Sequence, residues 1–305
     1  MGLSVYVEHM QIGYILSPQT DEGGAQPMSN DPPTERRLTV AEAKFADDND
    51  LRDLEVDRWS WPEGVFPDKK AEFALLDEYN LNVVCVGLWG KRYMDSAVGE
   101  QAEAELERAL EYAGEVEPSV FVTGTEVPAE LGDDAAWDEG LAYYGELLDH
   151  IQSHGYDVAF YFGHGENPLL GYDLEEMRRF TEALPAAKLK VDPANLLFGG
   201  LDPKRVLYEF GDRVGHFHIK DGLQIEIDGE PTVVDQPPAG MGDVPWGNLI
   251  DLLYLNDYDG ALCIEPHGSY WGHVAANEPR RAGIKIAQQY VSQILKPADR
   301  PTHLQ

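Results

Sequence analysis

Residues 157–195 of the chain read DVAFYFGHGENPLLGYDLEEMRRFTEALPAAKLKVDPAN. The apolar run at 157–162 is typical of a buried strand, residues 173–184 have the spacing of an amphipathic helix, and 187–191 (AKLKV) lead a second short strand into Asp192. Polar residues follow each predicted strand directly. This order predicts two neighbouring parallel strands joined by a helix.

The same alternation continues through most of the chain and predicts a closed barrel. Six strand–helix units follow residue 80, and 11–16 and 53–56 supply two further strands with a helix at 39–50 between them. Eight such units make a (β/α)8 TIM barrel, and we expect residues 1–305 to form a single domain. Residues 18–36, rich in Gly, Pro, Asn, Asp and Thr, predict a loop or a partly disordered insertion. The six later strands are predicted at 81–88, 119–127, 157–162, 187–191, 214–219 and 260–264.

The charge balance is strongly acidic, with 55 acidic against 23 basic side chains and a formal net charge of −32. Such a field repels phosphate backbones and anionic lipids, and the sequence contains no basic patch, so we expect neither nucleic acid nor membrane as a partner. Acid excess spread over the whole length is typical of a halophilic protein kept soluble in concentrated salt. An ordinary acidic protein is the alternative.

Cys85 and Cys263 each lie inside an apolar run, which indicates core thiols in a reducing compartment rather than a disulfide framework. The first residues lack a signal-peptide pattern, and no run of eighteen apolar residues occurs. We therefore predict a cytoplasmic, soluble protein. Oligomeric state stays open, because an acidic surface is compatible with a homo-oligomer in high salt.

Polar side chains capable of binding a metal follow four successive predicted strands. In a parallel barrel, the carboxyl ends of the strands meet at one face, where active sites are built. Carboxylates and an imidazole brought together there suit Mn²⁺, Mg²⁺, Co²⁺ or Zn²⁺. The candidates are His164 and Glu166, then Asp192 and Asn195, then His216, His218, Lys220 and Asp221, and finally Glu265 and His267.

Each candidate also has a structural interpretation. Asp192 is placed to cap a helix, Glu265 could be a solvated loop acid, and His216 could be a hydrogen-bonded core histidine or a support for a ligand. His164 and His267 could be ordinary loop residues. Period-two alternation puts His216 on the same face of its strand as the histidine two residues later. It is the joint placement at four consecutive strand ends that favours a metal site.

Five motifs, in order along residues 155–268, are GHGENP, VDPANLL, HIKDG, GMGDVPW and CIEPH. Together they resemble the second half of the xylose isomerase-like superfamily of sugar phosphate isomerases and epimerases. Tagatose and psicose epimerases, inosose dehydratase and apurinic endonuclease relatives share this barrel and its metal centre. The resemblance covers more than a third of the chain, whereas the first half matches only in its alternation of elements.

The resemblance implies four metal ligands and a set of substrate-binding neighbours. In this sequence Gly163-His164-Gly165 precedes the first glutamate, whereas the family has its glutamate directly at the strand end, so His164 is both a substrate-binding candidate and an alternative first ligand. The implied ligands are Glu166, Asp192, His218 and Glu265, and the other implied substrate-binding residues are Asn195, Lys220 and His267.

The resemblance also implies the chemistry: a bound cation acidifies the carbon next to a sugar carbonyl and stabilises the enediolate, while Glu166 and Glu265 exchange the proton. A sugar or inosose dehydratase is the first alternative, since it begins with the same proton abstraction. A metal-dependent hydrolase of the endonuclease type fits less well, because Asn195 and the net charge disfavour it. A barrel that binds a sugar without turnover is the remaining alternative, and the early loops would decide which sugar binds.

Overall fold

The computed structural model describes residues 10–16, 38–57, 69–88, 99–128, 131, 133–163, 168–268, 270–272, 277–301 and 303. Within these ranges, eight parallel strands close into a barrel, which confirms the predicted (β/α)8 fold. The insertion predicted at 18–36 lies outside the described residues. Among the helices described, none combines the length and the apolar character needed to cross a membrane.

The barrel strands are arranged in the order β1-β10-β7-β6-β5-β4-β3-β2, and β2 returns to pair with β1. Every pair in this ring is parallel, as connections through helices require. The barrel strands are β1 (Ile12–Ile15), β2 (Asp53–Asp57), β3 (Asn82–Leu88), β4 (Val120–Thr123), β5 (Asp157–Phe160), β6 (Lys188–Val191), β7 (Val214–Ile219) and β10 (Leu262–Ile264).

Helices surround this barrel and pack their apolar faces on the outward side chains of the strands. Several begin or end with the residue types that the sequence pattern predicts: Asp202 caps a helix that starts at Pro203, and Gly155, with φ of 92°, follows the longest helix. The helices are α1 (Val40–Asp48), α2 (Lys69–Tyr79), α3 (Gly99–Val116), α4 (Asp133–Ser153), α5 (Leu174–Ala183), α6 (Pro193–Phe198), α7 (Pro203–Phe210), α8 (Trp246–Leu255) and α9 (Asn277–Ile294).

Alternation along each strand divides its side chains between the barrel lumen and the helix layer. The outward side chains join the large hydrophobic core, to which Phe121 on β4 and Phe160 on β5 belong. Their neighbours Val120, Val122 and Ala159 form a separate buried cluster inside the barrel. On the other side of the lumen, the inward positions carry charged and polar residues instead.

Three elements were not predicted from the sequence. A hairpin of β8 (Leu223–Ile227) and β9 (Glu230–Asp235) follows β7, and the short helix α6 follows β6. The hairpin turns through Asp228 and Gly229, which both have positive φ, and an Asp-Gly pair between apolar runs is a usual signal for such a turn. The strand predicted at 119–127 is shorter, since β4 ends at Thr123.

Candidate metal centre

Three predicted ligands lie together at the carboxyl end of the barrel. Asp192 directly follows β6, His218 lies near the end of β7 and Glu265 directly follows β10. One ligand atom from each of the three lies within 4.8 Å of the other two. Strand order explains the convergence, since β6, β7 and β10 are successive neighbours in the barrel.

The two carboxylate oxygens of Asp192 make different contacts. Its Oδ1 accepts a hydrogen bond from the backbone N–H of Asn195 at 3.1 Å and so caps α6. Its Oδ2 faces the other predicted ligands and lies 3.6 Å from Nδ1 of His218. The helix-cap interpretation and the ligand interpretation of Asp192 are therefore compatible in one side chain.

The ammonium group of Lys220 lies between the two carboxylates. Its Nζ is 2.8 Å from Oδ2 of Asp192 and 2.7 Å from Oε2 of Glu265. Lys190, which points inward from β6, adds a second ammonium at 3.4 Å from the same Asp192 oxygen. Both lysines are buried, so the site already compensates its negative charge with cations.

Below this group, Glu55 on β2 contacts two histidines of β7 across the lumen. A single oxygen, Oε2, lies 2.8 Å from Nε2 of His216 and 2.8 Å from Nε2 of His218. On its other side, the His218 ring places Nδ1 3.1 Å from Oε2 of Glu265. His218 therefore joins the lower group, formed by Glu55 and His216, to Asp192, Lys220 and Glu265. These three residues and His218 are called the upper group.

Charges in this buried network shift the pKa values of its members. Burial alone would raise the pKa of Glu55, but the charges and hydrogen bonds of His218 and His216 hold it well below its usual value. Burial alone would lower the pKa of His218, but the Glu55 and Glu265 carboxylates raise it to about 10. Among the described residues, Glu55 is the carboxylate that contacts His216, and burial lowers the pKa of His216. The two histidines thus differ, with His218 charged and His216 neutral at pH 7 in the absence of a metal.

The pKa values of Asp192 and Lys220 in the upper group are shifted by the same kinds of interaction. Burial opposes ionisation of both Asp192 and Lys220, but their mutual attraction outweighs it. The pKa of Asp192 is consequently held well below its usual value and that of Lys220 well above. Both side chains are charged at neutral pH, and the Asp192 carboxylate is ready to bind a cation.

The remaining predicted site residues occupy different positions. Asn195 is buried in the first turn of α6, and His267 is half-buried two residues after Glu265, beside a small cavity that Glu265 also lines. Lys220 contacts the carboxylates directly, as described above. Glu166 and His164 lie outside the described residues, so both assignments stay predictions.

Asp221 of the HIKDG motif has a structural role. Its carboxylate accepts hydrogen bonds from the backbone N–H groups of Gly222, Gly240, Gly242 and Val244, at 2.9 to 3.2 Å, and from the indole N–H of Trp246 at 3.0 Å. The GMGDVPW motif is therefore folded around one carboxylate. This anchor fixes the segment that follows the hairpin next to the end of β7.

A second group of possible ligands lies deeper in the lumen, formed by Glu55, His216 and Cys263. Burial, with the nearby Glu55 charge, raises the pKa of the Cys263 thiol well above its usual value. A protonated thiol is a poor metal ligand, and Nε2 of His216 is already directed at Glu55. The chemistry of these donors favours the upper group as the metal centre.

Sequence analysis missed Glu55 and Lys190 as members of the network. A signal was present in both cases: DLEVD in β2 and KLKV in β6 place charged side chains at every second position of a buried strand. Period-two alternation would have sent these charges into the lumen. Which lumen residues meet them could not be read from either strand alone.

The donor set of the upper group fits a divalent cation. Two carboxylates and one imidazole are the mixed oxygen and nitrogen ligands that Mn²⁺, Mg²⁺, Co²⁺ and Zn²⁺ accept in proteins. The position of the Lys220 ammonium between Asp192 and Glu265 shows that positive charge is favourable there. Asp192, His218 and Glu265 are thus the described residues suited to holding a metal.

Fold and motifs together define a TIM barrel with a candidate metal centre at its carboxyl end. The model of the xylose isomerase-like TIM barrel family matches residues 47–292. The chain belongs to this family. No curated protein matches the sequence.

Solved structures of the same superfamily superpose on nearly the whole chain. A xylose isomerase-like TIM barrel protein from Mycobacterium smegmatis, in complex with magnesium, has a TM-score of 0.71 at 17% identity and covers 95% of this chain and 97% of its own. D-psicose 3-epimerase from Clostridium cellulolyticum H10, solved with D-tagatose, has a TM-score of 0.70 at 12% identity, covering 94% and 100%. The probable 3-DHS dehydratase AsbF from Bacillus anthracis, involved in petrobactin synthesis, has a TM-score of 0.65 at 16% identity. The superposition covers 91% of this chain and 98% of the dehydratase. Similarity at these identities shows the fold.

Proposed function

We propose that this protein is a divalent-metal-dependent isomerase or epimerase that acts on a sugar, a sugar phosphate or an inositol derivative. The reaction is removal of a proton from the carbon next to a carbonyl, followed by its return on the opposite face or at the neighbouring carbon. The observation that carries the proposal is the convergence of Asp192, His218 and Glu265 within 4.8 Å at the carboxyl end of the barrel. The similar D-psicose 3-epimerase, solved with D-tagatose, supports the choice of substrate class.

Asp192, His218 and Glu265 would hold the cation together with Glu166 from the GHGENP motif. When bound, a divalent cation supplies an electrophile that acidifies a C–H beside a carbonyl and offsets the negative charge that develops on the oxygen. Proton transfer itself falls to the chain's own carboxylates. His164 remains the alternative to Glu166 as the first ligand.

Glu265 is proposed as one member of the proton-transferring pair. It is only partly buried, with a side-chain exposure of 14%, so a substrate at the barrel mouth can reach it, whereas Asp192 is enclosed at 3%. Lys220 donates to Glu265 at 2.7 Å and orients its carboxylate. Glu166 is proposed as the second member, so that one carboxylate takes the proton and the other returns it.

Substrate contacts are proposed for the remaining polar residues of the mouth. His267, half-buried beside Glu265, would bind substrate hydroxyls. The same role is proposed for His164, which lies outside the described residues. Asn195 and Lys220 lie next to Asp192 and would keep the ligand set in position while also contacting the substrate. The partner is therefore a small carbohydrate.

The test is a deuterium-exchange screen over ketoses, aldoses and inosose in molar salt, together with the metal content of the purified protein. We expect stoichiometric divalent metal and solvent deuterium at the carbon next to the carbonyl of the true substrate. Glu265→Gln should lower the exchange rate by about 10²- to 10⁴-fold, because the proton acceptor is lost. Glu226→Gln, the same change at an exposed residue of the hairpin, is the matched control and should leave exchange unaffected.

The products separate this proposal from the dehydratase alternative. Recovery of an isomer or epimer supports the proposal, whereas a product that has lost water identifies a lyase. Undiminished exchange in Glu265→Gln would exclude Glu265 from proton transfer. Metal binding without exchange on any of the tested substrates would leave a sugar-binding barrel instead.

A further inference from the structure

We propose that Glu55 is a positioning residue for the metal centre, acting through His218. Its carboxylate holds the proton of His218 on Nε2 and thereby assigns Nδ1 as the metal-binding nitrogen. The inference rests on the metal centre of the proposed function and goes beyond it by naming the ligand atom and the residue that selects it.

The hydrogen-bond geometry determines which ring nitrogen is which. Glu55 Oε2 lies 2.8 Å from Nε2 of His218, and an ionised carboxylate oxygen can only accept, so Nε2 must carry the hydrogen. The opposite nitrogen, Nδ1, faces Oε2 of Glu265 at 3.1 Å and Oδ2 of Asp192 at 3.6 Å. Of the two nitrogens, Nδ1 is therefore the one beside the other candidate ligands.

The contact between Glu55 and His218 joins two strands that are not neighbours in the barrel. Glu55 is on β2 and His218 is on β7, and β1 and β10 separate these strands in the barrel wall. The contact consequently crosses the lumen, and both side chains are fully buried. With water excluded, the carboxylate is the group that fixes the ring orientation of His218, as carboxylates commonly do for metal-binding histidines.

His216 contacts the same Glu55 oxygen but lies outside the proposed set of metal ligands. Its Nε2 also lies 2.8 Å from Oε2 of Glu55, and its ring packs edge-on against that of His218 with 5.2 Å between the centroids. His216 lies one step deeper along β7, in register with Lys190 rather than at the strand end. It therefore offers a matched control, a second buried histidine on the same carboxylate that lies outside the proposed ligand set.

The experiment measures Zn²⁺ affinity by calorimetry for the wild type, Glu55→Gln and His216→Phe. The amide oxygen of a glutamine is uncharged and accepts hydrogen bonds more weakly than a carboxylate, so it holds the proton on Nε2 of His218 less strongly, and we expect the Kd of Glu55→Gln to rise about 10- to 100-fold. His216→Phe, which removes a ring from the same carboxylate, should change the Kd by less than about threefold. Equal losses of affinity in the two variants, or unchanged affinity in Glu55→Gln, would overturn the proposal and leave Glu55 with a role in stability alone.

A second measurement uses the wild-type protein and does not depend on whether Glu55→Gln folds. Nitrogen-15 NMR of the histidine rings with Zn²⁺ bound, assigned by comparison with His218→Asn, should show a protonated Nε2 and a metal-bound Nδ1 on His218. Metal on Nε2, or no Zn²⁺ binding at all, would contradict the proposal. Absence of proton exchange on every sugar, with Zn²⁺ on Nδ1 and the Glu55 effect intact, would instead refute the proposed activity and leave this inference standing.

Discussion

The two sides of the barrel lumen differ sharply in composition. On the side formed by β3, β4 and β5, the buried inward residues are Cys85, Val120, Val122, Ala159 and Tyr161, which pack as an apolar cluster. On the side formed by β2, β6, β7 and β10, most inward positions are charged or polar, and they are linked by hydrogen bonds and ion pairs. They include Glu55, Lys190, Asp192, His216, His218, Lys220 and Glu265, with the Cys263 thiol beside Glu55 and His216.

The contrast indicates that residues on the apolar side of the lumen mainly stabilise the fold, whereas residues on the polar side form the candidate site. The apolar side fills the lumen with shape-complementary side chains, which stabilise the fold through burial. The polar side brings charges out of water, which is unfavourable unless each charge has a partner, so its residues are bound to one another. Changes on the two sides should accordingly have different consequences.

The largest expected effect is on the polar side, at Asp192. Asp192→Asn keeps a good helix-capping residue but removes the charge, so metal affinity should fall by roughly 100-fold or more while α6 stays folded. Calorimetric titration with Mn²⁺ measures the loss. The matched control is Asp202→Asn, the same change at the Asp-Pro start of α7, where affinity should be unaltered. A similar Kd for both variants would mean that Asp192 only caps the helix.

Lys220→Met should mainly affect the metal-free protein. Without the ammonium, Glu265 loses its lysine partner and Asp192 keeps only the longer contact with Lys190, so we expect a loss of about 3 kcal/mol in the free energy of unfolding. Saturating Mn²⁺ should restore more stability to this variant than to the wild type, because the cation replaces the missing charge. Chemical denaturation with and without Mn²⁺ tests this, and an unchanged metal-free stability would show that the ammonium does not hold the carboxylates together.

Val122→Ala on the apolar side should reduce stability without altering the metal centre. Val122 is fully buried, so its truncation should lower the free energy of unfolding by about 2 kcal/mol. Metal affinity should remain that of the wild type. Denaturant unfolding and calorimetry on the same sample measure both quantities. A concurrent loss of affinity would break the separation between the two sides of the lumen.

The smallest expected difference concerns salt. The net charge of −32 predicts that stability rises between about 0.1 M and about 2 M KCl, as repulsion between exposed acids is screened. Buried pairs in the lumen are screened much less, so Lys220→Met and Val122→Ala should show the same salt-induced gain as the wild type. Unfolding curves at several KCl concentrations provide the measurement. A gain confined to the wild type would indicate that the lumen charges themselves respond to salt.

Local patterns account for the parts of the fold and site that could be predicted. Strand–helix alternation and the caps at Asp202 and Gly155 are properties of short segments, so the barrel could be predicted from them. Polar residues directly after β6, β7 and β10 belong to the same class of signal. The hairpin at 223–235 carried an Asp-Gly turn and was nevertheless missed, because the six strand–helix units accounted for the surrounding segments without it.

By itself, the sequence determined the class of fold, the strand ends at which chemistry-bearing side chains occur, and the acidic character of the molecule. The tertiary structure decided which of those side chains meet. Barrel closure brings Glu55 on β2 to His218 on β7, a contact between residues 163 positions apart. Closure also places Lys220 between two carboxylates from different strands. Contacts of this kind depend on strand order and register, which are set by the packing of the whole barrel and are not encoded within any one strand.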